Sequence, residues 1–462
     1  MLVGSELSED GKLVMSHYNS EGKLNLVKIP IREDDMFNWV VSETPTNLKT
    51  WDGNFIRPSK TRRPSRFRLE ELMFKYSTQS VKNMVHEFNK PKVAYLDIEN
   101  YVNQNNDFTK AEDALYPINL ISCLINNDVY ILSTLPELSS DELSKMTNEL
   151  NGIYKKFNTN YKLLYKFFNS ESNLLKFFSQ QLLPKLGFIT GWNVIEYDWQ
   201  YISNRCEKNG VDLFEKLPSK NKVGAYRIPM HTGMIDYIES MKSFKPFKDL
   251  ENHKLDTVSK RVLGIGKLEN PYSSFFEFIK DTYKFTLYNI IDSCAIQLVD
   301  QNIGMLGSCF AIGKISELEI TRIFSSVYMT EMFLCREFYK RGIFLPDVKR
   351  KKQYDFKYKG AFVKEPIPGF YEMVGGFDFN SMYPNIAIQH NISPETYLGF
   401  ADKIDPSQLP DKFTKTIKGT LFDTSQISAT SSVLINYYDQ RKSIQDEKTK
   451  LEQIFENLKN NK

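Results

Sequence analysis

Apolar and polar positions in the middle of the chain alternate between the period of a strand and the period of a helix. KVAYLDIEN (92–100) has the apolar content of a buried strand, and NLISCLINNDVYIL (119–132) predicts a hairpin that turns at residues 126–128. ESNLLKFFSQQLLPKL (171–186) has helical spacing and is expected to end near Pro184. Both types of element are therefore expected in one region.

Later segments continue this alternation. GFITGWNVIEYD (187–198) predicts a strand followed by a loop, and YKFTLYNIIDSCAIQLVDQNIG (283–304) predicts a strongly amphipathic helix. Beyond residue 310 the pattern predicts another helical stretch, a strand that ends in a tight turn at VGGFDFNSMYP (374–384), and a helical final segment from about residue 441. Strands that alternate with helices indicate an α/β domain.

The composition is that of a globular protein with several domains. The 462 residues are 41% hydrophobic and 25% charged, and this length suggests about three domains. The net charge is only +3, so a nucleic-acid contact would need a local surface such as RPSKTRRPSRFR (57–68), which could equally be a solvated loop. Five scattered cysteines, no secretory signal and no apolar run of about 20 residues lead us to expect a cytoplasmic protein without a membrane partner.

Several carboxylates fall where they could share a cation. Asp97 and Glu99 lie two apart on the first predicted strand, so both side chains emerge on one face and repel each other unless a cation joins them. Asp198 follows a later predicted strand, and Tyr288 and Asp292 are four apart on one face of the late helix. Each feature alone is typical of an ordinary strand end, loop or helix surface.

Taken together, these residues resemble the proofreading 3′–5′ exonuclease domain of DNA polymerases, in the class that combines four carboxylates with a tyrosine. GWNVIEYDWQYISNR (191–205) and LYNIIDSCAIQLVD (287–300) are similar to the second and third motifs of that domain, and LDTVSKRVLGIGKLENP (255–271) resembles another of its segments. GIGK (264–267) lacks the spacing of a phosphate-binding loop. The resemblance implies a ribonuclease-H-like fold and hydrolysis of DNA from a 3′ end.

The chemistry requires these residue types, because two divalent ions about 4 Å apart assist phosphodiester hydrolysis and Mg²⁺ prefers carboxylate oxygens. The resemblance implies that Asp97 bridges both ions, while Glu99 and Asp292 complete the site of the first. It also implies that Asp198 holds the second ion largely through water and that Tyr288 orients the attacking water. Two Mg²⁺ ions per site are the expected cofactor, and Mn²⁺ could replace them.

Residues beside Asp198 are candidates for holding a frayed 3′ end, which needs stacking and backbone contacts. Trp192, Asn193 and Tyr197 have suitable side chains. Packing or loop geometry explains each of them equally well. Asn193 and Tyr197 are therefore expected DNA-binding residues with a structural alternative.

A second group of motifs lies after residue 350. YKGAFVKEPIPG (358–369), DFNSMYPN (378–385) and NISPET (391–396) resemble family B DNA polymerases, especially those of tailed bacteriophages. The resemblance implies that Tyr358 and Gly360 follow the template backbone.

The same resemblance assigns nucleotide-binding roles. Asp378 would bind both polymerase metals, and the backbone at Ser381 and Met382 would cradle the incoming triphosphate. Tyr383 would pack under the sugar and exclude a 2′-hydroxyl. Arg441 lies in a segment similar to the first fingers helix and would reach the triphosphate, although as a bare sequence this is a charged helix face.

Two further polymerase motifs are not found in the sequence. The pattern K-x-x-x-N-S-x-Y-G of the second fingers helix does not occur, nor does Y-G-D-T-D, which carries the second metal-binding carboxylate. One carboxylate cannot assemble a two-metal site. We therefore expect the N-terminal part of a split family B polymerase, with a C-terminal partner chain supplying the rest. A truncated single-chain polymerase, a stand-alone exonuclease and a non-catalytic DNA-binding subunit are the alternatives.

The final segment carries an apolar stripe at helical spacing, formed by Leu451, Ile454, Phe455 and Leu458. The stripe could fold onto the chain's own palm segment, or a helix of the partner chain could cover it. If a helix of the partner chain covers the stripe, that helix and the final helix of this chain would pack side by side where the two chains meet.

The expected architecture is α/β, of the α+β multidomain kind. It comprises an N-terminal domain (1–90, with 310–352 returning to it), a ribonuclease-H-like exonuclease domain (91–309), a partial palm (353–430) and the start of the fingers (431–462). The expected partners are a DNA primer–template, a single-stranded 3′ end, dNTP, the C-terminal chain and a sliding clamp. A phage origin would place the protein in the host cytoplasm.

Overall fold

The structure is a computed structural model. It describes residues 2–19, 21–50, 52–62, 64–76, 91–217, 220–223, 226–230, 232–247, 249–345 and 362–460. Tyr358 and Gly360, for which a template contact is predicted, lie outside the described residues.

Strands and helices are numbered in chain order. The described strands are β1 (Leu2–Leu7), β2 (Lys12–Tyr18), β3 (Leu24–Pro30), β4 (Phe37–Val41), β5 (Lys49–Thr50), β6 (Ile56–Lys60), β7 (Val93–Asn100), β8 (Ile118–Ile125), β9 (Asp128–Ser133), β10 (Lys162–Phe167), β11 (Phe188–Gly191), β12 (Lys220–Val223), β13 (Tyr226–Pro229), β14 (Gly233–Asp236), β15 (Ile343–Phe344), β16 (Tyr397–Phe400), β17 (Phe413–Lys415) and β18 (Thr420–Asp423). The described α-helices are α1 (Arg66–Tyr76), α2 (Ser140–Ile153), α3 (Glu171–Phe177), α4 (Gln200–Lys208), α5 (Tyr237–Phe244), α6 (Leu255–Leu263), α7 (Phe275–Lys280), α8 (Thr282–Ile303), α9 (Met305–Ser316), α10 (Ser326–Lys340), α11 (Met382–Gln389) and α12 (Ala429–Asn460).

The chain divides into two compact units, and each is described by itself. The first unit comprises Met1–Ile31 and Tyr76–Met329, and the second comprises Arg32–Lys75 and Thr330–Lys462. The domain boundaries expected from the sequence remain a prediction.

A six-stranded sheet forms the centre of the first unit, in the order β10-β9-β8-β7-β11-β14. β7 pairs antiparallel with β8 and parallel with β11, and β8 pairs antiparallel with β9. The tight turn between β8 and β9 includes Asn126 at a φ of 55°, a left-handed conformation that asparagine tolerates. The predicted strand at 92–100 and the predicted hairpin are both confirmed.

The two faces of β7 pack into different apolar clusters, because successive side chains of a strand point to opposite sides. Leu96 and Ile98 belong to a cluster on one side of the sheet. Tyr95 belongs to the cluster on the other side, which contains most of the apolar residues of α8. Asp97 and Glu99 share the face of Tyr95, so the strand directs both carboxylates towards α8.

The prediction at 283–304 is right about the helix and wrong about its amphipathic surface. α8 is buried on nearly every side, because β7, β8, α2, α6 and α7 all pack against it. Several of its polar residues are hydrogen-bonding groups inside the core. Asp300, for example, accepts bonds from the hydroxyls of Tyr95 and Tyr237. Such buried polar positions give the same sequence pattern as a solvated face.

The predicted helix at 171–186 changes its pitch before it ends. α3 ends at Phe177 and is followed by a π-helical turn, Phe178–Leu182, and a 3-10 turn, Leu183–Lys185. Proline has no backbone N–H and cannot continue the hydrogen-bond ladder. The end of the helix near Pro184 is confirmed.

The second unit contains three small sheets: β4 with β6, β5 with β15, and β16 to β18. Arg68, the last residue of the basic segment, is buried in this unit. Its guanidinium donates to the Glu71 carboxylate and to the Asp35 carbonyl, and it lies 3.9 Å from the ring centroid of Phe37. Arg68 is therefore structural, and a phosphate contact by the rest of segment 57–68 remains a prediction.

The NISPET segment (391–396) holds the start of α12. The Glu395 carboxylate accepts the backbone N–H of Ala429 at 2.6 Å, and the Asn391 side chain donates to two carbonyls in the turn before the helix. A carboxylate at a helix N-terminus satisfies an otherwise unpaired N–H. α12 consequently begins at Ala429, earlier than the start near residue 441 that the sequence pattern predicts.

The strand predicted at 374–384 is wrong. Residues 374–380 are exposed and form no strand, and α11 begins at Met382. A strand needs a neighbour to satisfy its N–H and C=O groups, and no described strand pairs with this segment.

The apolar stripe of α12 is exposed as well, at 54–67% for Leu451, Ile454, Phe455 and Leu458.

Candidate active site

Three carboxylates from two elements meet at the end of the central sheet. Asp97 and Glu99 come from β7, and Asp292 comes from the facing side of α8. One carboxylate oxygen from each lies within 4.8 Å of the others. Within the described residues this is the one group of three or more side chains that could hold a metal ion.

Asp198 reaches the same strand from a different direction. The segment after β11 forms a π-helical turn, Ile195–Trp199, in place of the predicted loop. The Asp198 carboxylate is buried and accepts the backbone N–H of Ile98 at 3.0 Å. Since Ile98 lies between Asp97 and Glu99, Asp198 is anchored beside the three-carboxylate cluster without belonging to it.

A glycine allows the approach of this segment to β7. A Cβ at Gly191 would lie 2.4 Å from the Leu96 carbonyl oxygen and 2.8 Å from the Val194 Cβ. No larger residue fits between these atoms without moving the backbone. The end of β11 and the turn to Asp198 can therefore lie directly against the catalytic strand.

Burial and mutual repulsion raise the pKa of every carboxylate in the site. Burial, and then the charge of Asp292, raise the pKa of Asp97 to about 8. Burial and the charges of Asp97 and Asp292 hold the pKa of Glu99 well above its usual range. Burial raises the pKa of Asp198 and of Asp292 as well. Such a site favours either protons or a cation.

A lysine that the sequence argument did not assign already supplies one positive charge. The Lys267 ammonium forms an ion pair with the Asp292 carboxylate and lies 5.1 Å from the ring centroid of Tyr288. Burial opposes the charged form of Lys267, but Asp292, Tyr288 and Asp97 together outweigh it and raise the pKa of the lysine. Lys267 lies in segment 255–271, and the family resemblance of that segment was the sequence signal that could have pointed to this lysine.

A second unassigned residue fixes the orientation of Asp97. Asn289 follows Tyr288 on α8, and its side-chain N–H donates to Asp97 Oδ2 at 2.6 Å. The carboxylate that α8 contributes to the cluster is that of Asp292, and its Oδ1 is buried and has no hydrogen-bond partner among the described residues. A buried, unpartnered carboxylate oxygen inside a carboxylate cluster is a suitable ligand atom for a hard cation.

Tyr288 lies one helical turn before Asp292 and is packed by aromatic rings. Its ring contacts Phe275 and Phe278 edge-on, with centroids 6.0 and 5.5 Å away. Burial, and then the charge of Asp292, raise the pKa of Tyr288. The hydroxyl therefore remains protonated and available as a hydrogen-bond donor.

The predicted DNA contacts near Asp198 all have partners within the protein. The Trp192 indole donates to the His253 carbonyl, and the Tyr197 hydroxyl donates to the Asn100 side chain at 3.1 Å. Asn193 has a left-handed φ of 65° and serves in the turn. These contacts fit the structural alternative, and DNA contacts by Asn193 and Tyr197 remain a prediction.

A chain of aromatic rings leads away from Tyr288 to the surface. Phe275, which touches Tyr288, also contacts Phe108 at 5.4 Å, and Phe108 is 61% exposed. Nearby, Tyr101 contacts Phe276 at 6.2 Å and is also exposed. Tyr101 and Phe108 follow the strand that carries Asp97. The spacing of these two aromatic residues follows no regular pattern, so the sequence did not indicate that they are exposed near the site.

The residues predicted for a polymerase site are not brought together with other carboxylates. Asp378, Met382, Tyr383 and Arg441 are exposed, and Ser381 has a left-handed φ of 51° at the start of α11. Within the part of the chain that the structure describes, Asp378 belongs to no group of three potential metal-ligating side chains.

Comparison with known families finds one match for each group of motifs. Residues 54–258 match the exonuclease domain of DNA polymerase family B, and residues 324–460 match DNA polymerase family B itself. The first match includes Asp97, Glu99 and Asp198. Together the two matches account for most of the chain, which belongs to family B of the DNA polymerases. The predicted fold class, α/β with a ribonuclease-H-like exonuclease domain, is confirmed.

The similar proteins include phage polymerases. The chain is 29% identical to the DNA-directed DNA polymerase of Escherichia phage RB69 over 339 residues, 68% of this chain and 36% of the relative. It is 26% identical to that of Enterobacteria phage T4 over 253 residues, 52% of this chain and 28% of the relative. A DNA polymerase of Pyrococcus horikoshii is 40% identical over 222 residues, 45% of this chain and 18% of the relative. The chain thus matches about a third or less of each relative's length.

No helix among the described residues is long and apolar enough to cross a membrane.

Proposed function

We propose that the first unit is a 3′–5′ exonuclease that uses two divalent cations to hydrolyse the terminal phosphodiester of a DNA strand. Mg²⁺ is the proposed ion, and Mn²⁺ could replace it. The proposal is carried by the meeting of Asp97, Glu99 and Asp292 within 4.8 Å, with a buried Asp292 oxygen that has no partner among the described residues.

The donor set fits hard divalent cations. Asp97, Glu99 and Asp292 would offer carboxylate oxygens to a first ion, and Asp97 with Asp198, which is anchored to β7, would hold a second. When bound, the ions neutralise charge on the attacking and leaving oxygens and lower the pKa of a water. The raised pKa values of the carboxylates mean that deprotonation and cation binding are coupled.

The remaining residues of the site would bind and orient. The protonated Tyr288 hydroxyl can donate to the attacking water or to the terminal phosphate. Asn289 holds Asp97 in one rotamer, and Lys267 partly neutralises Asp292. These contacts restrict the carboxylates to one arrangement before substrate arrives.

The exposed aromatic residues suit the unpaired 3′ end of DNA. Single-stranded bases stack on aromatic side chains, and each such contact is worth about 1–3 kcal/mol. Tyr101 and Phe108 are exposed, and Phe108 connects through the ring of Phe275 to Tyr288. Asn193 and Tyr197 are further proposed contacts. The proposed location is the cytoplasm, which is that of the host cell if the protein is from a phage.

We also propose that Asp378, Ser381, Met382, Tyr383 and Arg441 belong to a polymerase site that needs additional polypeptide. The supporting observation is exposure, since the rings of Phe370 and Phe377 are fully exposed and Asp378 has no neighbouring carboxylate cluster among the described residues. Large exposed apolar surfaces mark interaction sites. The added polypeptide, a C-terminal polymerase chain, would complete binding of primer–template and dNTP, and a sliding clamp is a further proposed partner.

A stand-alone exonuclease is the second candidate function. It is favoured by one observation, namely that the carboxylate cluster is complete within the first unit. A purified chain that degrades DNA equally well with and without the added polypeptide would favour this candidate.

The exonuclease proposal is tested on a 5′-labelled single-stranded oligonucleotide with the purified chain. We expect a ladder that shortens from the 3′ end with Mg²⁺ and stops with EDTA. A circular single-stranded DNA is the matched control, since an exonuclease leaves it intact. A folded chain that shortens nothing, or that cuts the circle equally fast, would contradict the proposal.

A further inference from the structure

Another buried carboxylate lies near the site but outside the three-carboxylate cluster. Asp236 ends β14 and is 3% exposed. Its Oδ1 accepts the backbone N–H groups of Asn193 at 3.0 Å and Ile238 at 3.1 Å, and its Oδ2 accepts that of Ile195 at 3.1 Å. Three N–H groups therefore converge on one buried carboxylate.

Only one of these bonds is an ordinary helix cap. The bond from Ile238 caps the N-terminus of α5, as an aspartate commonly does. The bonds from Asn193 and Ile195 come from another element, the segment that leaves β11. β11 and β14 are parallel neighbours, with Gly191 opposite Asp236. The carboxylate thus lies where the chain turns from β11 towards Asp198.

The turn held by Asp236 leads directly to a proposed metal ligand. Asn193 takes the left-handed conformation, which costs energy for a residue other than glycine. Ile195 begins the π-helical turn that contains Asp198, three residues further on. Asp198 then accepts the N–H of Ile98 on the catalytic strand. Two sets of hydrogen bonds, connected by the short backbone segment from Asn193 to Asp198, therefore join Asp236 to β7.

We propose that Asp236 is a positioning residue of the exonuclease site, which sets the place of Asp198 by fixing the turn before it. The inference rests on the proposed exonuclease function. The role requires two acceptor oxygens, because both bind N–H groups of the protein. An asparagine of the same size would offer one oxygen and would turn an NH₂ group towards an N–H donor. Loss of this contact would loosen Asp198 and weaken metal binding without touching the substrate.

The test is Asp236→Asn in the full chain, with exonuclease kcat, KM for a single-stranded oligonucleotide and the Mg²⁺ concentration for half-maximal rate all measured. Residues that orient metal ligands typically cost roughly 10–100-fold in metal affinity or activity when changed. We expect a loss of that size in kcat or Mg²⁺ affinity, with KM for DNA unchanged. Asp236→Glu keeps the charge and should recover part of the loss.

Asp300→Asn is the matched control. Asp300 is equally buried and also accepts three bonds, from the hydroxyls of Tyr95 and Tyr237 and from the N–H of Leu306. None of these three donors is a backbone N–H of the segment that carries Asp198, so the Asp300→Asn variant should lose thermal stability and keep the wild-type Mg²⁺ dependence.

Two outcomes would overturn the inference. The first is a folded Asp236→Asn chain with wild-type kcat and Mg²⁺ dependence; if that variant does not fold, a wild-type Mg²⁺ dependence in Asp236→Glu has the same meaning. The second is an equal change of Mg²⁺ dependence in Asp300→Asn. An inactive wild-type chain would instead overturn the proposed function itself, which distinguishes the two failures.

Discussion

The two motif-bearing regions of this protein differ in how far their sites are assembled. In the first unit, carboxylates from β7 and α8 meet in a partly buried cluster, with Asp198 anchored beside them. In the second unit, Asp378 is exposed on a segment with which no described strand pairs, although its sequence also resembles a family motif. Matching a motif is therefore a weaker statement than forming its site.

The two regions differ because neighbouring strands and helices surround the motif residues of the first unit, whereas no described strand lies beside those of the second. β7 has hydrogen-bonded strands on both sides, and α8 is buried against it. The segment 374–380 has no neighbouring strand within the described residues, so it cannot satisfy its backbone groups as a sheet would. A site that is shared among several elements forms only where all of them are present.

The largest expected effect is on catalysis. We expect Asp97→Ala with Glu99→Ala to lower the exonuclease rate at least about 10³-fold, because the charge stabilisation of the transition state is removed, and to leave DNA binding largely intact. Asp378→Ala, the matched carboxylate change in the second unit, should leave the rate unchanged. Single-turnover degradation of a labelled oligonucleotide measures both variants. Unchanged degradation by the double variant would refute the site.

The second largest expected difference between the two regions is in the unfolding free energy that a core-size substitution costs. Phe285 is fully buried in the core around α8, whereas Phe377 is fully exposed. Phe285→Ala should cost about 3–5 kcal/mol of unfolding free energy, while Phe377→Ala should stay within about 0.5 kcal/mol of wild type. Urea unfolding followed by circular dichroism measures both changes. Equal losses would mean that the second segment is packed as tightly as the core.

A smaller effect is expected at the tyrosine. Tyr288→Phe removes only a hydroxyl, and a positioned proton donor or acceptor typically contributes about 10²–10⁴-fold to a rate. We expect kcat to fall by about 10²-fold, at the lower end of that range, with unchanged Mg²⁺ dependence, since Tyr288 is not a proposed ligand. Tyr383→Phe is the control from the second unit and should leave exonuclease kcat unchanged. A shifted Mg²⁺ dependence in Tyr288→Phe would contradict the assigned role.

The smallest expected effect is a pH dependence of the metal-free protein. The pKa of Asp97 is raised to about 8 in the folded state, by burial and then by Asp292. The folded state therefore holds a proton that the unfolded chain releases above about pH 4, so stability is lost as the pH rises from about 4 to about 8. We expect Tm in EDTA to fall by a few degrees across this window.

Mg²⁺ should reverse this fall, because it binds the deprotonated carboxylates. The slope should be smaller in Asp97→Asn and unchanged in Asp378→Asn, since only the first residue is in the carboxylate cluster. Thermal melts at several pH values, with EDTA or with Mg²⁺, test both statements. A Tm in EDTA that rises through the same window would contradict the account.

Local pattern predicted much of the first unit. The strand β7 and its hairpin neighbour follow from alternation and turn residues, and the helix at 283–304 from its spacing. The burial of that helix did not follow, because a polar residue bonded inside a core looks the same in sequence as a solvated one. Asp300 is an example, since its two tyrosine partners lie more than sixty residues away.

The site needed more than local pattern. The DxE and YxxxD spacings each had ordinary explanations, and the family resemblance was required to connect them. Lys267 and Asn289 were missed because their contacts with Asp292 and Asp97 depend on the packing of separate elements. The strand predicted at 374–384 failed for the opposite reason, since its strand-like pattern has no described strand to pair with.

The most direct test of the contrast uses the purified chain on a 5′-labelled primer annealed to a template, with Mg²⁺, in the presence and absence of all four dNTPs. Primer shortening under both conditions is the predicted result, because the exonuclease cluster is assembled and the polymerase residues are not. Primer extension with dNTPs would contradict the account, because it would require a complete polymerase metal site within this chain.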